Sequence, residues 1–104
     1  MNFEKIQKLS LEEKKSLLER TIKLQEEVGE LAQQVLIQTG SSGSHHKKAP
    51  TNDVKQEVVD VTLVALSIFF LEGGTPLELE KIVEAKMGKW EASQLLNSPP
   101  QKNR

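Results

Sequence analysis

VVDVTLVALSIFFL, from Val58 to Leu71, is the most apolar stretch of this chain, and Asp60 is the one charge in it. A helix that is apolar on nearly every side has to be surrounded by other elements. A carboxylate within it either takes up a proton or meets a cation, because an isolated buried charge is too costly. Glu57, three residues before Asp60, repeats the difficulty at the mouth of the run. Fold and chemistry therefore both have to be explained from this pair.

The rest of the chain supplies two further predicted helices. Ser10 followed by Glu13 reads as a capping box, with Glu12 and Glu13 at the positive end of the dipole, and starts a helix from about Leu11 to about Gln38. Met1 to Leu9 is then a mixed lead-in, with room for a turn of helix. At about 100° per residue, Leu17, Leu24, Val28, Leu31, Ala32 and Val35 share one arc. Leu11, Leu18, Ile22 and Leu36 widen it beyond what one neighbouring helix covers. Thr39 to Asn52, TGSSGSHHKKAPTN, is a loop by composition and is locally basic through Lys47 and Lys48. It is read either as a solvated connection or as a basic flap over an anionic ligand. The adjacent His45 and His46 lack the spacing of a helical metal pair.

The apolar helix should begin near Asp53 and stop at Leu71 or Glu72, before Gly73-Gly74. Thr75, Pro76 and Glu78 then occupy the N-cap, N1 and N3 positions of a last helix reaching about Ser93. Its stripe is Leu79, Ile82, Val83, Met87 and Trp90, with Lys86 in the middle. The expected fold is all-α, residues 1–96 forming a single domain, an antiparallel bundle of three main helices. Residues 97–104 are polar and proline-rich, and a disordered tail is expected there. Two companions cannot surround the apolar helix, so a homodimer or homotetramer is expected to complete a four-helix-type core.

Composition removes several classes of function. With 104 residues, one domain is expected. Fourteen basic against 15 acidic residues leave a net charge of -1, which gives nucleic acid or an anionic membrane no attracting field. There is no cysteine, so thiolate metal sites are excluded. The apolar run is shorter than the ~20 residues that span a bilayer, and MNFEKIQKLSLEEKK lacks the apolar core of a secretory signal. A cytoplasmic protein without nucleic-acid or membrane partners is the expectation.

The acids of the first long helix supply what Glu57 and Asp60 need. In KLQEEVGEL, Glu27 and Glu30 lie about 60° apart around the axis and one turn apart along it, so both can reach one ion. Lys23 lies one turn earlier. By itself this pattern also describes a solvated helix face. Packed beside Glu57 and Asp60, however, it gathers four carboxylates that cannot all ionise without protons, basic side chains or a divalent cation. All-oxygen ligands favour Mg²⁺ or Mn²⁺ over Zn²⁺, and the absence of Glu-x-x-His pairs argues against a di-iron site. Lys86 is read either as a helix-edge lysine or as a phosphate contact facing the acids. Gly29, costing about 1 kcal/mol relative to Ala in a helix, points to a close helix crossing or to room for a ligand.

Glu26-Glu27-Val28-Gly29-Glu30 followed by Glu57-Val58-Val59-Asp60 resembles the E-E-x-x-E and E-x-x-D pattern of MazG-like members of the all-α nucleoside triphosphate pyrophosphohydrolase superfamily. The likeness runs from about Leu17 to Trp90, in the same helix order. It implies Mg²⁺ held by Glu27, Glu30, Glu57 and Asp60, and a water oriented or deprotonated by Glu26. It also implies an oligomer, and a phosphate contact from Lys86, joined by Lys23 or by Lys47 and Lys48. Trp90 and Ser93 stand where many relatives carry Asn and Arg. The implied reaction converts a nucleoside triphosphate to its monophosphate and pyrophosphate. The rival readings are phosphoribosyl-ATP pyrophosphohydrolase and a non-catalytic helical oligomer with a structural cation.

Overall fold

A computed structural model describes residues 1–40 and 53–97. Every regular element among them is helical: α1 (Phe3–Glu12), α2 (Leu17–Gln38), α3 (Val54–Leu71) and α4 (Pro76–Asn97). The all-α class is as expected, but the described residues form four helices. The chain divides into two compact units, Met1–Gly73 and Gly74–Arg104. No single described helix is long and apolar enough to cross a membrane.

The extra helix corrects the reading of Ser10. That residue lies inside α1, is 4% exposed, and its hydroxyl donates to the Ile6 carbonyl at 2.6 Å. The cap of the long helix is Ser16: its Oγ accepts the Glu19 backbone N–H at 3.1 Å, and Glu19 Oε1 accepts the Ser16 N–H at 2.9 Å. That backbone N–H, followed by the Ser16 hydroxyl, holds the Glu19 carboxyl below the usual glutamate range. Ser10 and Ser16 are each followed three residues later by Glu, so local sequence does not separate them. Ser16→Ala is expected to cost about 1 kcal/mol in urea denaturation. A loss below about 0.3 kcal/mol would remove the cap from Ser16.

What decides between them is Arg20, which is only 2% exposed. Its guanidinium donates from Nε to the Lys15 carbonyl at 2.9 Å, and from Nη2 to the carbonyls of Ser10 at 2.8 Å and Glu13 at 2.9 Å. Nη1 reaches the Ser67 carbonyl on α3 at 3.0 Å. One cation thus gathers the end of α1, the connection into α2 and the far end of α3. A continuous helix through residues 11–16 would place those carbonyls elsewhere.

α3 packs against both α1 and α2. Early α2 meets late α3 through Arg20 and Ser67, while Glu27 in mid-α2 meets Glu57 and Asp60 near the start of α3, so these two helices run antiparallel. Asp53 caps α3 in a box with Gln56, the Gln56 N–H reaching Asp53 Oδ1 at 2.8 Å. Gly73 ends the apolar run in the left-handed region at φ 93°, where a side chain would be strained. The Glu78 N–H donates to Thr75 Oγ1 at 3.1 Å, as its sequence requires, and α4 continues past Ser93 to Asn97.

The buried line of α2 is not its apolar arc. Arg20, Glu27 and Gln34, spaced seven residues apart, are its enclosed side chains, whereas Leu17, Leu18, Ile22, Val28, Val35 and Leu36 are exposed. Val58, Val59 and Leu63 of α3 are exposed too. On α4 only Leu79 of the expected stripe is buried; Ile82, Val83 and Met87 are open, and Trp90, read from sequence as core, is 66% exposed. Phe70, edge-on to Phe69, is the fully enclosed apolar side chain among the described residues, and Leu79 is buried at 8% exposure. A Cβ at Gly29 would meet nothing within 4 Å, so no close crossing among the described residues accounts for that glycine.

Candidate metal centre

The antiparallel pairing of α2 and α3 turns two separate i, i+3 patterns into one cluster. Glu27, Glu57 and Asp60 each offer a carboxylate oxygen, and these oxygens all lie within 4.8 Å of one another. Glu27 is 8% and Glu57 4% exposed, and Asp60 is half-buried. Glu57 stands in the first turn of α3, where the positive end of the helix dipole offsets part of the cost of enclosing a carboxylate.

Glu30 stands beside the three. It is exposed, yet the charge of Glu27, then its partial desolvation and the charge of Glu57, push its carboxyl above the usual 4.5. Negative charge is therefore concentrated on this part of the α2–α3 seam, as the spacing implied, with Glu30 at its rim.

Lys23 supplies a counter-charge. Its Nζ lies 3.2 Å from Glu27 Oε1. The hydrogen bond to Glu27, then the charges of Glu26 and Glu27, hold the ammonium above the usual lysine range. Glu26 is exposed on the flank of α2, close enough to act on Lys23 but outside the converging trio. The other Glu27 oxygen, Oε2, is buried and has no hydrogen-bond partner among the described residues. Leaving a buried acceptor unmade costs about 1–3 kcal/mol, more for a charged group. An orphaned carboxylate oxygen on a residue that converges with two other acids is what a hard divalent ion could satisfy, so the residues present fit Mg²⁺ or Mn²⁺.

Beside the cluster, a cleft of about 210 Å³ is lined by Glu13, Lys15, Arg20, Lys23, Val64 and Ser67, among others. It brings three cations together, of which Lys23 also pairs with an acid of the cluster. Lys15 and Arg20 were not singled out from sequence. Arg20 had a legible signal, a basic residue seven positions before Glu27 on the same helical line. Lys86 lies exposed on α4, in the second unit. Lys47 and Lys48, in the stretch read as a solvated connection or a basic flap, and residues 98–104, read as a disordered tail, lie outside the described residues.

The chain matches no described protein family, no curated protein and no solved structure.

Proposed function

We propose that this chain is a Mg²⁺-dependent nucleoside triphosphate pyrophosphohydrolase of the MazG-like kind, acting in the cytoplasm as a homo-oligomer. The observation that carries the reading is the convergence of Glu27, Glu57 and Asp60, with Glu27 Oε2 buried and without a hydrogen-bond partner among the described residues. These three would hold the ion, with Glu30 completing the set at the rim. When bound, Mg²⁺ supplies polarisation of the phosphoryl oxygens and neutralisation of developing charge. Glu26, solvent-facing beside the cluster, would take the proton of the water that attacks the α-phosphorus. The α–β phosphoanhydride bond breaks, and pyrophosphate leaves with the bonding pair. Lys23 would hold the polyphosphate, and the resemblance adds Lys86, Lys47 and Lys48 as phosphate contacts.

Oligomerisation is supported by the distribution of apolar groups. In the unit Met1–Gly73, Phe70 is the one buried apolar side chain among the described residues, too little for independent stability, and the exposed faces of α2 and α3 supply the missing burial if a second copy covers them. Light scattering at micromolar concentration is expected to give a multiple of 11.7 kDa. A stable monomer would refute the assembly.

A panel of ribo- and deoxyribonucleoside triphosphates with Mg²⁺ tests the reaction, the expected result being monophosphate and pyrophosphate rather than diphosphate and phosphate. Turnover of phosphoribosyl-ATP alone would move the activity to that substrate. The Lys23–Glu27 ion pair favours a second reading, a helical oligomer whose acids are neutralised for structure only. That reading requires no hydrolysis of any triphosphate and no change of melting temperature with Mg²⁺.

A further inference from the structure

We propose that Lys23 is a resident counter-cation that a divalent ion displaces from Glu27, and that the freed ammonium turns into the adjoining cleft to meet an anionic ligand. The inference rests on the metal reading above and adds an order to it: cation first, anion second.

The Lys23 ammonium occupies the coordination space of one Glu27 oxygen, at 3.2 Å from Oε1. A divalent ion among Glu27, Glu57 and Asp60 would share that carboxylate with it, and two cations on one carboxylate repel strongly where water is partly excluded. The lysine is the group able to leave. Its side chain is 42% exposed on a flexible four-carbon stem, so it can turn without moving α2.

Its destination is also defined. Lys23 lines the cleft that Lys15 and Arg20 line. Arg20 is committed there to four carbonyls, and Lys15 lies 3.7 Å from Glu13. Of these three cations, Lys23 is the one whose partner belongs to the acidic cluster. Occupation of the cluster would therefore add a positive charge to the cleft, which suits a polyphosphate and disfavours binding of the anion before the metal.

The test is Mn²⁺ binding to the full chain, followed by electron paramagnetic resonance and calorimetry, for wild type, Lys23→Met and Lys23→Gln. Removing the competing ammonium is expected to tighten Mn²⁺ binding about fivefold, the upper range for a partly exposed ion pair. In the wild type, nitrogen NMR of the Lys23 ammonium is expected to show it shifting and exchanging faster with water as Mg²⁺ is added. Equal or weaker Mn²⁺ binding by both variants, or an unmoved Lys23 signal at saturating Mg²⁺, overturns the displacement while leaving the metal site intact. Absence of Mn²⁺ binding in all three proteins overturns both the site and the displacement. Circular dichroism identifies a variant that has lost its fold, and the NMR result on wild type decides the matter without either variant.

Discussion

Arg20→Ala is expected to lower stability by about 3–5 kcal/mol, the scale for breaking a buried charged network. Hydrogen bonds to a charged group contribute about 1.5–3 kcal/mol each, and the substitution removes four of them. It also leaves the carbonyls of Ser10, Glu13, Lys15 and Ser67 without this donor. Against a total stability of about 5–15 kcal/mol, that loss is a large fraction of the whole. At roughly 4–8 °C per kcal/mol for a chain of this size, melting should fall by more than about 10 °C. Arg20→Lys should recover only part of the loss, because a point ammonium cannot serve four carbonyls on three sides. Urea denaturation, with hydrogen exchange of the α1 amides, measures it. A loss below about 1 kcal/mol would show that the network is not what holds α1 in place.

The second large effect is on activity. Glu57→Gln and Asp60→Asn each remove one charged oxygen of the converging trio and are expected to reduce Mg²⁺-dependent pyrophosphate release about a hundredfold or more. The same substitutions should leave the metal-free fold as stable as before or more so, since they relieve repulsion. Glu30 reports on this independently. Its carboxyl is raised partly by Glu57, so Glu57→Gln should return its titration toward the ordinary range. The sign of the pH effect follows: between 4.5 and the raised value the folded chain holds more protons at Glu30 than the unfolded chain. This group's contribution to stability therefore falls as pH rises through that window, and Glu57→Gln should flatten the fall. Retained hydrolysis in both variants would remove the trio from the reaction. A clear loss of metal-free stability would show that the acids support the fold instead of straining it.

Sequence reading succeeded where a structure is made by neighbours in the chain. Asp53 and Thr75 cap the helices they precede, and Gly73 ends the run from Val58 to Leu71, because each acts within four residues. The grouping of Glu27 with Glu57 and Asp60 was also legible, since two helices carrying i, i+3 acids have few ways to pack. Ser10 was misread as a cap because the deciding contact is to Ser67, far along the chain. Glu30 was grouped with the other three acids; it is exposed and outside the converging trio, yet close enough to feel the charges of Glu27 and Glu57. The apolar arc of α2 was read as the face turned inward. Within one chain the inward line is Arg20, Glu27 and Gln34, and hydrophobic periodicity does not say which of two faces meets a helix of the same chain.

That inward line has a consequence for alignment. Two helices joined by a uniform leucine seam can slide by one turn, about 5.4 Å, and find nearly the same packing again. α2 and α3 cannot. A one-turn slip would take the Ser67 carbonyl away from the Arg20 fork and move Glu57 and Asp60 out of step with Glu27. The polar positions at 20 and 27 thus set the phase between the helices, whereas apolar groups there would supply adhesion in several phases. Two residues one heptad apart fix where along the seam the acids meet, and the nearer of them to the chain's start is a cation that touches none of them.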